Sequence, residues 1–127
     1  MLRDQNLIAF VSVVDPARAK AFYQDTLGLK LTLEKLPYIM EFDANGRQLC
    51  VHVAGKLMQP VPYTVLGWVV GNIAAEIDGL TARGVVFERF PGMEQDARCI
   101  WTAPGEGTQV AWFKDPDGNL LSVTQVP

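Results

Sequence analysis

The same order of elements is written twice along this chain, and that duplication constrains the fold more than any single residue does. Leu7–Val14 is an apolar, β-branched run and reads as a buried strand. Asp15 and Pro16 follow. Asp accepts hydrogen bonds from the free amides of a first helical turn, and Pro fits the turn's opening position. The spacing predicts a helix over Ala17–Leu27, with Ala19, Phe22, Tyr23 and Leu27 as its apolar stripe and Gly28 as its stop. Strands are predicted at Leu29–Leu33, Tyr38–Phe42 and Gln48–Val53, with Asn45-Gly46 as a hairpin turn. Gly55–Pro62, carrying Pro60 and Pro62, reads as a linker. Beyond it the order recurs. A strand at Tyr63–Val70 leads to a helix over Ile73–Arg83, capped by Asn72 and stopped by Gly84. Strands follow at Val85–Phe90, Cys99–Ala103, Gln109–Phe113 and Leu120–Gln125. Val13-Val14-Asp15 stand 13 to 15 residues before Gly28, and Val69-Val70-Gly71 stand as far before Gly84. The expected fold class is α+β, with two βαβββ modules in one domain of residues 1–127. Module 1 is placed at about 1–57, the linker at about 55–62 and module 2 at about 63–127. The pattern alone also admits an ordinary α+β domain whose halves are alike by chance.

Composition narrows the function classes. Hydrophobic residues make up 49% of the 127, enough for a buried core without disulfides or a structural metal. Eleven Lys and Arg against fourteen Asp and Glu give a net charge of −3 with no basic run, so nucleic acid is not an expected partner. No apolar run approaches the roughly 18 residues of a membrane span, so no membrane partner is expected either. Met1–Val14 carries Arg3 and Asp4 without a clear cleavage site and does not read as a signal peptide. Two cysteines, Cys50 and Cys99, are too few for a disulfide framework, and a reducing cytoplasmic location is expected.

Three stretches carry a family resemblance: Val14-Asp15-Pro16 through Phe22-Tyr23 to Leu27-Gly28, the helix end Thr81-Ala82-Arg83-Gly84-Val85, and the turn Phe113-Lys114-Asp115-Pro116-Asp117-Gly118-Asn119. Together they resemble the vicinal oxygen chelate superfamily, which contains glyoxalase I, the bleomycin and fosfomycin resistance proteins and the extradiol dioxygenases. The resemblance implies that each module is a curved sheet backed by a helix, and that two modules form a barrel-like cup that binds ligands. It also implies a homodimer, with the cup built within one chain or across two.

In the metal-dependent members, His and Glu on the cup strands hold a divalent ion. Carried over by motif spacing, those positions fall on Ile8, Cys50, Val65 and Ser122. Ile and Val cannot bind a metal, Ser is a poor ligand, and a protein zinc site needs at least three ligands. The expectation is therefore no metal and no cofactor. His52, the chain's one histidine, shares strand parity with Gln48 and Cys50. In the last strand Ser122 and Thr124 share a parity opposite Leu121 and Val123. Both polar faces fit either an aqueous cup or a plain solvated sheet face. A histidine changes charge near neutral pH, which makes His52 the candidate catalytic residue. Trp68 reads as core, under the helix with Leu66 and Val70. Trp101 and Trp112 are candidates to line the cup, although packing explains most aromatics. The loop around Met93, Asp96 and Arg98, beside Trp101, has the length and polarity of either a binding lid or a solvated surface loop.

Three functions follow from different classes. The first is metal-independent binding of a small apolar or aromatic ligand by His52, Cys50, Gln48, Ser122, Thr124, Trp101, Trp112, Met93 and Asp96. A net charge of −3 does not point to the strongly acidic groove that cationic bleomycin requires. The second is a lyase or dioxygenase-type enzyme with a non-standard site around His52. The third is a dimeric interaction module with no small-molecule role.

Overall fold

The computed structural model describes residues 1–127, which divide into two compact units, Met1–Pro60 and Val61–Pro127. The architecture is α+β, a four-stranded mixed sheet in each unit.

In the first unit β1 (Ile8–Val13) leads to α1 (Pro16–Lys20), then β2 (Lys30–Lys35), β3 (Ile39–Ala44) and β4 (Arg47–Val53). The sheet order is β1-β4-β3-β2, with β1 and β4 parallel and the other pairs antiparallel. Asp15 caps α1 as its sequence position implies, its carboxylate accepting from the amides of Ala17 at 3.0 Å and Arg18 at 3.2 Å. The predicted single helix changes character part-way, because Ala21–Thr26 winds as a wider π-helical turn. The Leu27 amide there donates to the Phe22 carbonyl at 2.9 Å, five residues back rather than four. The apolar stripe of Ala19, Phe22, Tyr23 and Leu27 does not separate the two windings. Val11, Val13, Met40, Phe42, Leu49 and Val51 cover one sheet face and bury Ala19 and Tyr23 from the helix. The β3–β4 turn uses Asn45 (φ 53°) and Gly46 (φ 81°), the paired left-handed geometry that a two-residue hairpin demands.

In the second unit β5 (Thr64–Val69) leads to α2 (Ile73–Ala82), then β6 (Trp101–Thr102), β7 (Gln109–Lys114) and β8 (Leu120–Gln125), in the sheet order β5-β8-β7-β6. The strand expected at Val85–Phe90 does not form. Towards β7 that segment makes a single bridge, Phe87 to Phe113, with the Glu88 amide donating to the Trp112 carbonyl at 2.8 Å. The chain then leaves β7 and rejoins it where Trp101 pairs with Val110. The edge position that β2 fills in the first unit is thus shared here by two short pieces, with the loop between them as an excursion. With that correction each unit has the order βαβββ.

The helix side of this sheet buries Ala111, Phe113, Leu121 and Val123 with Ile73, Ile77 and Leu80 of α2. Gln125 fixes the sidedness, its amide oxygen accepting from the Ile73 amide at 2.8 Å. The β7–β8 turn is organised by the buried carboxylate of Asp115, which accepts from the amides of Asp117 and Asn119 at 2.9 Å each and from the Asn119 side chain at 2.8 Å. No helix is long and apolar enough to cross a membrane.

Candidate functional site

Each sheet has a face turned away from its helix, and the side chains named from the sequence divide between these two faces and one loop. In the second unit the strand register places Ser122 beside Trp112 and beside Gly67, Thr124 beside Val110, and Trp101 beside Val110. All of these lie opposite Leu121, Val123 and Gln125. The rings of Trp101 and Trp112 stand 6.4 Å apart, tilted at 44°. Phe90 closes on Trp112 edge-to-face at 5.6 Å. Both indoles are half-buried. The Trp112 indole N–H donates to the Thr64 hydroxyl at 2.9 Å, which fixes the ring's rotation and keeps its polar edge satisfied. The result is an aromatic platform of three rings with hydroxyls beside it. Trp68 has the opposite parity and is half-buried on the helix side. Phe90, Thr64 and Gly67 were not singled out from the sequence. Thr64 is 48 residues from Trp112, and nothing local announces their bond.

The loop between Phe90 and Ile100 is a folded object. The Gln95 side chain accepts from the Phe90 amide at 2.9 Å and donates to the carbonyls of Glu88 at 2.9 Å and Cys99 at 2.8 Å. It thereby supplies the bonds that a neighbouring strand would make. Asp96 holds its own loop together, one carboxylate oxygen accepting from the amides of Arg98 at 2.8 Å and Ile100 at 2.9 Å. Arg98 reaches α2 and donates twice to Asp78, at 2.9 and 3.0 Å. Those hydrogen bonds, with the guanidinium's charge, hold the exposed Asp78 carboxyl below its ordinary range. Met93 is half-buried in the loop. Glu94, Asp96, Ile100 and Trp101 border an open depression of about 400 Å³.

In the first unit Gln48, Cys50 and His52 share the face away from α1, beside Ile8, Phe10 and Ser12 of β1 and Asp43, Glu41 and Ile39 of β3. Gln48 and His52 are exposed, whereas Cys50 is 4% exposed. Phe10, 61% exposed, gives this face an apolar element. Gln48 also borders a depression of about 650 Å³ with Gln5, Asn6 and Arg47. Burial pushes the Cys50 thiol up from its ordinary range, and the neighbouring Glu41 carboxylate pushes it the same way. The nucleophile is the thiolate, so alkylation of Cys50 by iodoacetamide should be slow at pH 7 and rise only above the ordinary thiol range of about 8.5. Mass spectrometry of the labelled peptide across a pH series checks this, and rapid labelling at neutral pH would contradict it.

The four positions carried over for a metal do not make a donor set. Ile8 pairs with Gln48 rather than with Cys50, and Cys50 pairs with Phe10. Val65 falls at an irregularity between Thr64 and Leu66, while Ser122 pairs with Gly67. Nowhere are three His, Cys, Asp or Glu side chains gathered as a metal would need. The residues present do not fit a divalent ion.

A family model described as the Glyoxalase/Bleomycin resistance protein/Dioxygenase superfamily matches residues 6–123. The chain belongs to that superfamily. Solved structures of the glyoxalase/bleomycin resistance/dioxygenase fold match each chain nearly end to end. An antibiotic binding protein from a Streptomyces species is 23% identical, with 97% of this chain and 96% of that one covered and a TM-score of 0.72. A lactoylglutathione lyase from Agrobacterium tumefaciens is 19% identical, with 94% and 91% covered and a TM-score of 0.68. A superfamily protein from Alicyclobacillus acidocaldarius is 21% identical, with 97% and 92% covered and a TM-score of 0.67. No curated protein matches the chain. At these identities the glyoxalase-fold neighbours speak for architecture, while binder and enzyme both occur among them.

Proposed function

We propose that this superfamily member binds a small, planar apolar or aromatic ligand without metal and without chemistry. The observation that carries the reading is the Trp101–Trp112–Phe90 platform on the face of the second sheet turned away from its helix. Aromatic rings left half-buried on such a face offer stacking area at little conformational cost. Trp101 and Trp112 stack the ligand, Ser122 and Thr124 supply polar contacts, and Met93 and Asp96 belong to the flanking loop. His52, Gln48 and Cys50 stand on the corresponding face of the first sheet, turned away from its helix, and are the polar candidates of that unit. The missing donor set at Ile8, Cys50, Val65 and Ser122 supports binding without a metal. A protein described as antibiotic binding shares this fold, so binding has a precedent in it. The reading includes a homodimer in the cytoplasm.

The test is the fate of a bound compound. A planar aromatic that binds should be recovered unchanged, by mass spectrometry, after hours with the protein, and a chelator should leave its affinity unaltered. A new product would overturn binding without chemistry and favour an enzyme. Loss of that product in His52→Ala would then assign the reaction to the exposed histidine.

A further inference from the structure

We propose that the Ser122 hydroxyl is the polar anchor of the aromatic platform, and that the ligand is therefore a planar ring system with a hydroxyl or carbonyl oxygen at its edge. The inference rests on the aromatic-ligand reading above and names the ligand's chemical class.

Four observations converge on that one hydroxyl. Ser122 is 7% exposed, yet its side chain has no hydrogen-bond partner in the protein. Its oxygen nevertheless keeps a small accessible surface, for it is not among the fully enclosed polar atoms. An accessible hydroxyl with no partner in the protein is open to water, and a ligand oxygen can take that water's place. Second, the neighbouring strand provides the room for it. Ser122 pairs with Gly67, and a Cβ on Gly67 would run into the Ser122 oxygen. Gly67 has ordinary backbone angles, so its turn-forming freedom does not explain the glycine there, whereas the space does. Third, the other neighbour of Ser122 across the sheet is Trp112, whose ring is held by Thr64 and flanked by Trp101. Ser122 thus lies on the strand that the Trp112 indole spans to reach Thr64, on the same face as that ring. Fourth, the Thr64 hydroxyl already accepts from Trp112, while Ser122 can both donate and accept. A hydrocarbon of the same outline would cover Ser122 and leave it unpaired, so the site distinguishes oxygenated from plain aromatics.

The probes are naphthalene and 2-naphthol, titrated calorimetrically into wild-type protein, Ser122→Ala and Gly67→Ala. Wild-type protein should bind 2-naphthol about fivefold tighter than naphthalene. Ser122→Ala should abolish that preference by weakening 2-naphthol alone, with its melting temperature little changed, since the hydroxyl makes no bond within the protein. Gly67→Ala should lose the same preference by displacing the hydroxyl. If it unfolds instead, Ser122→Ala decides. Equal binding of the two probes by wild-type protein, or a preference that survives in Ser122→Ala, overturns this inference and leaves the aromatic platform standing. Failure of both probes to bind overturns the platform together with its anchor.

Discussion

Replacing Trp112 by Ala should weaken the binding of a planar aromatic by about 30-fold or more, the loss of at least about 2 kcal/mol that follows removal of a central aromatic anchor. Trp112 touches both other rings of the platform and is the only one whose rotation is fixed by a hydrogen bond. Its removal therefore takes away stacking area and the order of what remains. Trp101→Ala should cost less, because Trp101 meets one of those rings and lies on the two-residue edge strand. Trp68 is the control. It is on the helix side of the same sheet, and Trp68→Phe should leave affinity within about twofold, as contacts outside a binding centre usually do. Calorimetric titration of the three variants checks the order. Equal losses for Trp68 and Trp112 would mean that the effect comes from the fold and not from the face.

The second large effect concerns stability. Tyr23→Ala should destabilise the protein by about 3–5 kcal/mol, the range for deleting a fully buried aromatic. Tyr23 is 0% exposed and packs against Phe22 at 5.2 Å and Phe42 at 6.1 Å. It is also the residue by which the helix of the first unit enters the core, together with Ala19. A lowered midpoint of urea unfolding at an unchanged slope is the expected signature. A change below about 1 kcal/mol would mean that the helix contributes little to holding the first sheet, contrary to its burial.

The sequence made the scaffold legible because the scaffold depends on local signals. Asp15 caps the amides beside it, Asn45-Gly46 adopts the paired left-handed turn, and Asp115 gathers the amides of its own turn. Each is a short-range device, and each was visible as a residue type in the right place. The register of Gln48, Cys50 and His52 on one face followed from strand parity alone. What failed was long-range. Val85–Phe90 has the composition of a strand and lies beside β7, but the excursion after Phe90 leaves it one bridge. Propensity reports that a segment accepts extended geometry, and pairing needs a partner edge that stays alongside. Gln95, an unremarkable residue in a polar stretch, turned out to hold that excursion by imitating a strand. The platform was half legible. Trp101 and Trp112 could be placed on strands, but their 6.4 Å approach depends on register between β6 and β7. Phe90 and Thr64 join them only through the tertiary fold.

The open face of the second sheet is proposed above as a binding surface for aromatic molecules. The most direct measurement is a tryptophan fluorescence titration of wild-type protein with 2-naphthol, excited at the indole's red edge and corrected for inner-filter absorption, repeated on Trp112→Phe and Trp112→Ala. The account predicts a saturable change with one site per chain, retained in Trp112→Phe and lost in Trp112→Ala. A change that never saturates, or one that saturates identically in all three proteins, would contradict it.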